Sequence, residues 1–192
     1  MTLKEILRMI RTEGIKQIAV TGPQRSGTGI GSYILANELK TTLIHERAFN
    51  GNDYKGFLKH ISLHKKFIVH CPGLMHCAER FPDNMLVVVI TRPLNEIMAS
   101  ERRIDWDDSD ERIPYDDRKS FDMSSPISYI KYQFADRVLS RTRRLEYLDY
   151  NSLSWHKLFI PKHKRRGFLG HQLSVKVKTP PITIDFGKDG KK

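Results

Sequence analysis

A glycine-rich loop, GPQRSGTG at residues 22–29, contains the residue types and spacing that point most directly to chemistry. Its Gly22-x-x-x-x-Gly27 spacing is that of phosphate-binding loops, in which backbone N–H groups converge on an anion at the start of a helix. Arg25 supplies a cation inside the loop, and Thr28 stands where nucleoside triphosphatases usually carry lysine. The loop therefore predicts a ligand that bears phosphate.

A second candidate anion site follows the most apolar segment of the chain, MLVVVIT at 85–91. A Mg²⁺-dependent nucleotide enzyme usually has a carboxylate at the end of such a strand, but here Arg92 follows it. Arginine repels a metal ion and offers a planar fork to a phosphate. Ser100, eight residues later, can add a hydroxyl contact. Arg92 therefore argues for a second phosphate and against a metal ion, but these two residues alone are more often a surface arginine and a helix serine that share no ligand.

A ligand that reacts at this edge of the sheet with transfer of a proton would need a general base beside it. His70 is the best candidate, because it lies at the end of a strand predicted at 65–70, on the side of the sheet where ligands bind. His45 and Glu46, at the end of a strand predicted at 41–45, are the alternatives. All three remain open as the base.

Histidine and cysteine side chains could in principle hold a metal. One set matches no standard zinc-ligand spacing and is interrupted by a proline, namely His70, Cys71, His76 and Cys77. His60 and His64 are spaced to share a helix face, and a solvated face is the expectation for them. No metal is therefore expected.

The elements that must position these residues alternate between strands and helices, which predicts a parallel α/β sheet with right-handed crossovers. Strands are predicted at residues 15–20, 41–45, 65–70, 85–91 and 145–150, of which 85–91 is the most apolar. Helical periodicity predicts helices at residues 30–40, 57–64, 93–103 and 127–144. Thr2 and Glu5 form a capping box that predicts a further helix, which Gly14 ends.

The predicted organisation is a single α/β domain over residues 1–170, with an Asp-rich lid or loop inserted at 103–125. A basic, partly irregular tail is expected at 171–192. The formal net charge of +11 suits a polyanionic ligand but does not choose among nucleotides, nucleic acid and anionic surfaces. A soluble cytoplasmic protein is predicted from three features of the sequence. It contains only two cysteines, shows no secretory signal, and has no apolar run long enough to span a bilayer.

Five separated segments resemble, in the same order, motifs of the sulfotransferases that use 3′-phosphoadenosine 5′-phosphosulfate. These segments are PQRSGTG (23–29), FIVHCP (67–72), ITRPLNEIMAS (90–100), YLDYNSL (147–153) and RRGFLG (165–170). The resemblance implies a P-loop NTPase-like three-layer α/β fold with a central parallel sheet of about five strands. It also implies transfer of a sulfuryl group to a hydroxyl or amine of a small-molecule or carbohydrate acceptor, with nucleic acid not expected as a partner.

The resemblance further implies which residues bind the donor nucleotide. The 5′-phosphosulfate would be held by the loop residues Arg25, Ser26, Gly27, Thr28 and Gly29. The 3′-phosphate would be held by Arg92, Ser100, Arg165, Arg166 and Gly167. Tyr150 would lie near the adenine, and Arg25 would meet the charge that develops on the bridging oxygen. His70 or Glu46 would act as the base, and no metal would be needed.

Two alternatives to a sulfotransferase stay open. A P-loop nucleotide kinase or NTPase of atypical pattern would bind ATP with Mg²⁺. A non-catalytic nucleotide-binding or nucleic-acid-binding protein would show no transfer; if it bound nucleic acid, its affinity for oligonucleotides would depend strongly on salt and would be indifferent to Arg25→Ala.

Overall fold

A computed structural model of the chain describes residues 1–23, 25–102, 136–159 and 182–187. The α-helices are α1 (Leu3–Thr12), α2 (Thr28–Leu39), α3 (Tyr54–Ile61) and α4 (Leu94–Arg102). The strands are β1 (Gln17–Thr21), β2 (Thr42–Ile44), β3 (Phe67–His70), β4 (Leu86–Thr91), β5 (Leu145–Asp149) and β6 (Ile184–Asp185). Short 3₁₀ helices span Glu46–Phe49, Pro72–Arg80 and Tyr150–Trp155.

The strands form one open parallel sheet in the order β5-β4-β1-β3-β2-β6. The predicted α/β class is confirmed, and all five predicted strands are present with ends shifted by at most two residues. The expectation of about five strands is corrected to six, because β6 pairs with β2 at the sheet edge. β6 is only two residues long and lies in the segment predicted to be partly irregular. The sequence therefore contains no apolar run that predicts this strand.

Helices cover both faces of the sheet, which explains why β3 is buried along its whole length. On one face, α1 and α2 pack against the strands, with Ile6 and Ile34 in the same buried cluster as Ile18. On the other face, Phe57 of α3 and Leu74 of the second 3₁₀ helix pack with alternate strand residues. The sheet is therefore the rigid layer from which the loops project.

Local signals explain where the helices begin. The predicted capping box is present, with the Thr2 N–H donating to Glu5 Oε2 at 2.7 Å and Thr2 Oγ1 accepting the Glu5 N–H at 3.4 Å. Helix α3 begins three residues before its predicted start because Asp53 caps it by accepting the Gly56 N–H at 2.9 Å. That helix also ends at Ile61 instead of at residue 64.

Several predicted segments lie outside the described residues. These are the lid at 103–125, most of the helix at 127–144 and the basic segment at 160–181. Residues 136–139 are helical and the chain then turns, so the predicted helix ends earlier than residue 144, ahead of β5. In the described part of the chain, no helix is both long and apolar enough to cross a membrane.

The carboxyl ends of β1, β3 and β4 meet at one edge of the sheet. From β1 the chain passes to β2 on one side, and from β4 it passes to β5 on the other side. Open α/β sheets bind ligands in the crevice that such a reversal of direction creates. The glycine-rich loop, His70 and Arg92 all follow or end strands at this edge.

Candidate functional site

The glycine-rich loop turns tightly between β1 and α2. Gly22 has φ +142° and Gly27 has φ +101°, a region that favours glycine. A Cβ on Gly22 would lie 2.9 Å from the Ile90 carbonyl oxygen, so the loop backbone runs directly against β4. Arg25 also has a positive φ of 66°, a strained conformation of the kind found at binding sites.

The start of helix α2 has features suited to an anion. Its N-cap, Gly27, makes no side-chain capping hydrogen bond, and the first turn contains no acidic residue. The positive end of the helix dipole and its N–H groups are therefore not neutralised by a side chain from the helix itself. Beside it, Ser26 Oγ is fully buried and has no hydrogen-bond partner among the described residues.

The two predicted anion-binding elements are in direct contact. Arg25 Nε donates to the hydroxyl of Ser100, a buried residue of α4, at 3.2 Å. Arg92 Nη1 donates to the Arg25 carbonyl oxygen at 3.1 Å. The Arg92 guanidinium also lies over the Tyr150 ring, 4.4 Å from its centroid. Two guanidinium groups, a hydroxyl and an aromatic ring thus share one corner of the sheet edge.

Arg92 is oriented by an ion pair within its own segment. Its Nε donates to Glu96 Oε2 at 2.8 Å, across one turn at the start of α4. The Glu96 side chain is 41% exposed, so solvent screens this pair and its contribution to stability is small. The pair fixes the direction of the guanidinium fork toward the loop.

His70 lies on the other side of the loop. It is only 5% exposed, and its Nε2 is hydrogen-bonded to Thr28 Oγ1 at 3.1 Å. Its Nδ1 is buried with no hydrogen-bond partner among the described residues. Burial, and secondarily the neighbouring His45, lower the pKa of His70 to about 3. The imidazole is therefore neutral at pH 7.

His45 and Glu46 complete this second group. The His45 and His70 rings lie 5.3 Å apart between centroids. His45, Glu46 and His70 each offer one possible ligand atom, and these atoms lie within 4.8 Å of one another, so they could hold a cation. His45 Nδ1 accepts the Arg47 N–H at 3.3 Å, which orients the ring.

The two cysteines are free thiols in the core. Burial, followed by the charge of Glu46, raises the pKa of Cys71 far above its usual range. Burial likewise raises the pKa of Cys77. Neither thiol is suited to act as a nucleophile at neutral pH.

The described site residues thus form two adjoining groups joined by the loop. The first group consists of Arg25, Ser26, Gly27, Arg92, Ser100 and Tyr150, and the second of Thr28, His70, His45 and Glu46. Gly29 lies in the first turn of α2, where its carbonyl accepts the Ser32 hydroxyl at 2.9 Å. Arg165, Arg166 and Gly167 lie outside the described residues.

A third group of polar side chains joins His60 and His64 to Asp185, a residue that the sequence did not connect with them. His60 Nε2 and His64 Nε2 lie 2.9 Å and 3.0 Å from the same atom, Asp185 Oδ2. The expectation of a solvated face for the two histidines is wrong, because their side chains are only 16% and 24% exposed. Their spacing indicated a shared face, but only the position of β6 identifies Asp185 as what that face contacts.

This sequence and structure were compared with known protein families, curated proteins and solved structures. A scan against protein-family models found no match, and searches of curated proteins and of solved structures also found none. Inference about function therefore depends on the residues and geometry of the site.

Proposed function

We propose that this protein is a sulfotransferase that transfers a sulfuryl group from 3′-phosphoadenosine 5′-phosphosulfate to a hydroxyl or amine acceptor. The observation that carries the proposal is the contact between the two anion-binding elements, in which Arg25 bonds Ser100 and Arg92 bonds the Arg25 carbonyl. Two cations in one hydrogen-bonded group suit a ligand with two separate anionic groups better than a single phosphate.

The topology supports a P-loop NTPase-like fold for this activity. The phosphate-type loop follows the central strand β1, which lies between β3 and β4, and leads directly into α2. The order of the strands brings the loop, His70 and Arg92 to one edge. A nucleotide bound along this edge could reach both groups of site residues.

Sulfuryl transfer needs little from the protein beyond positioning and charge stabilisation. The α2 N-terminus and Arg25 would hold the 5′-phosphosulfate and offset the charge that develops on the bridging oxygen. Arg92 and Ser100 would contact the 3′-phosphate, with Arg165, Arg166 and Gly167 closing over it. Within the described part of the chain, the buried Ser26 Oγ has no hydrogen-bond partner, which supports a polar ligand at the loop.

The general base could be a buried histidine or one of the two side chains beside it. His70 is neutral at pH 7, as a base must be, but its pKa of about 3 makes it a weak one. Glu46 and His45 lie beside it and are the alternatives. The variants His70→Gln and Glu46→Gln would identify the base. The variant that loses sulfuryl transfer but still binds the donor has lost the base.

The main competing function is Mg²⁺-dependent nucleotide chemistry. The end of β4 is Thr91-Arg92, with no carboxylate to hold Mg²⁺ there. The nearest acidic group described for Arg92 is Glu96, which is already paired with it. This arrangement favours metal-independent binding of the donor.

A thermal-shift panel separates these functions. In EDTA, 3′-phosphoadenosine 5′-phosphate should raise the melting temperature of the wild type more than ADP does, because only the former has a 3′-phosphate. Arg92→Met should abolish this difference. Arg141→Met, at a surface arginine whose side chain is 60% exposed, is the control and should preserve it. A shift produced only by ATP with Mg²⁺ would favour a kinase, and no shift at saturating ligand would contradict the proposal.

A further inference from the structure

We propose that His60, His64 and Asp185 form a binding site for a divalent transition-metal ion, with Zn²⁺ the best fit, that fastens β6 to α3. The site is separate from the glycine-rich loop and independent of the proposed sulfotransferase activity. Its three possible ligand atoms lie within 4.8 Å of one another. They come from elements that are more than 120 residues apart in the chain.

The two histidines converge because of how α3 ends. His60 is in the last turn of α3, and the His64 N–H donates to the Ile61 carbonyl at 3.1 Å, which keeps the chain turning after the helix. The His64 ring meets Phe67 edge-on at 6.4 Å. The two imidazole rings lie 5.8 Å apart at an angle of 33°. Both Nε2 atoms therefore face the same point.

The carboxylate of Asp185 is held in place by its own segment. Its Oδ1 accepts the Gly187 N–H at 2.8 Å, which leaves Oδ2 facing both histidines. A fixed, ionised carboxylate is the ligand form that a metal requires.

Two imidazole nitrogens and one carboxylate oxygen suit Zn²⁺ or a similar transition metal, with water in the remaining position. Tetrahedral bonds of about 2.0–2.1 Å would separate neighbouring ligand atoms by about 3.3 Å. The present separations of 2.9 and 3.0 Å from Asp185 Oδ2 are close to this spacing, so small side-chain movements would admit the ion. Each ligating Nε2 would then be unprotonated, with the ring proton on Nδ1.

The charges around the three ligands do not attract a cation, so the affinity for Zn²⁺ must come from the ligand atoms themselves. Lys59, Lys65 and Lys66 are exposed on the same segment and oppose a cation. Replacing any one ligand should therefore remove most of the binding. The bound ion would join α3 to the two-residue edge strand β6, in addition to the pairing of β6 with β2.

The test measures Zn²⁺ binding to chelator-treated, desalted full-length protein by competition with a chromophoric chelator. The wild type should bind Zn²⁺, and His64→Gln and Asp185→Asn should each weaken this binding at least tenfold. Two controls should retain it: His156→Gln, at a histidine bonded to Glu38, and Glu46→Gln, in the other group of possible ligands. Zn²⁺ should also raise the melting temperature of the wild type and of both controls.

A measurement on the wild type alone guards against variants that fail to fold. Zn²⁺ should shift the imidazole NMR signals of two histidines in slow or saturable exchange, and Co²⁺ should give visible absorption bands typical of a low-coordinate site. The proposal is overturned if the wild type binds no Zn²⁺. It is also overturned if folded His64→Gln and Asp185→Asn bind as tightly as the wild type, or if only Glu46→Gln loses the metal.

Discussion

Replacing Gly27 by alanine adds one methyl group where the loop and the Tyr150 ring are in contact. The new Cβ would lie 2.5 Å from Cε2 of Tyr150, far inside van der Waals distance. Tyr150 cannot move away freely, because it is 7% exposed and its ring lies under the Arg92 guanidinium at 4.4 Å. The φ of +101° adds backbone strain for any residue with a Cβ.

The cost has two parts. A left-handed conformation costs an L-residue about 1–2 kcal/mol. Overpacking of a buried contact costs about 1–3 kcal/mol. We therefore expect Gly27→Ala to lower the free energy of unfolding by about 2–5 kcal/mol. Gly14→Ala is the matched control, because Gly14 has φ +62° but no atom of the described residues lies within 4 Å of its Cβ position. It should therefore show the backbone cost alone.

Urea unfolding with linear extrapolation measures both variants, and a double mutant separates the two costs. In a Tyr150→Ala background the clash is absent, so Gly27→Ala should cost no more than Gly14→Ala does. The reasoning is refuted if Gly27→Ala is as mild as Gly14→Ala in the wild-type background. It is also refuted if the cost of Gly27→Ala is the same with and without the Tyr150 ring.

Two further perturbations test other parts of the structure. The pKa of His70 is lowered from 6.5 to about 3, so the unfolded chain binds more protons between these values and stability falls as the pH drops below 6.5. His70→Gln should reduce the loss of unfolding free energy between pH 7.5 and pH 5 by about 2 kcal/mol, measured by urea unfolding, and an unchanged pH dependence would contradict burial as the cause. Thr2→Ala removes the capping box of α1 and should destabilise the protein by about 1 kcal/mol in the same assay, whereas Ser62→Ala, after the end of α3, should change stability less.

The elements that could be predicted from sequence are those with strong local signals. The five longer strands lie between predicted helices or turns, the most apolar of them being β4, and the capping box of Thr2 and Glu5 is a local pattern. The start of α3 was missed because Asp53, its cap, lies outside the apolar periodicity. Strand β6 has no signal of its own, since two residues acquire strand geometry only by pairing with β2.

The sequence predicts which residue types form the candidate site, but it does not predict which of these residues contact each other. Spacing in the loop and the Arg after β4 indicated two anion-binding elements, yet the hydrogen bond from Arg25 to Ser100 depends on how α4 packs. The pairing of Thr28 with His70 depends on the register of β1 and β3. The convergence of His60 and His64 on Asp185 depends on an edge strand that the sequence does not announce.

The central claim is that the loop and the Arg92 element together bind a nucleotide with a 3′-phosphate without a metal. Isothermal titration calorimetry in EDTA, comparing 3′-phosphoadenosine 5′-phosphate with adenosine 5′-phosphate, tests it most directly. The account predicts that the first ligand binds at least tenfold more tightly and that Arg92→Met removes this preference. Equal affinity for the two ligands, or no binding of either without Mg²⁺, would contradict it.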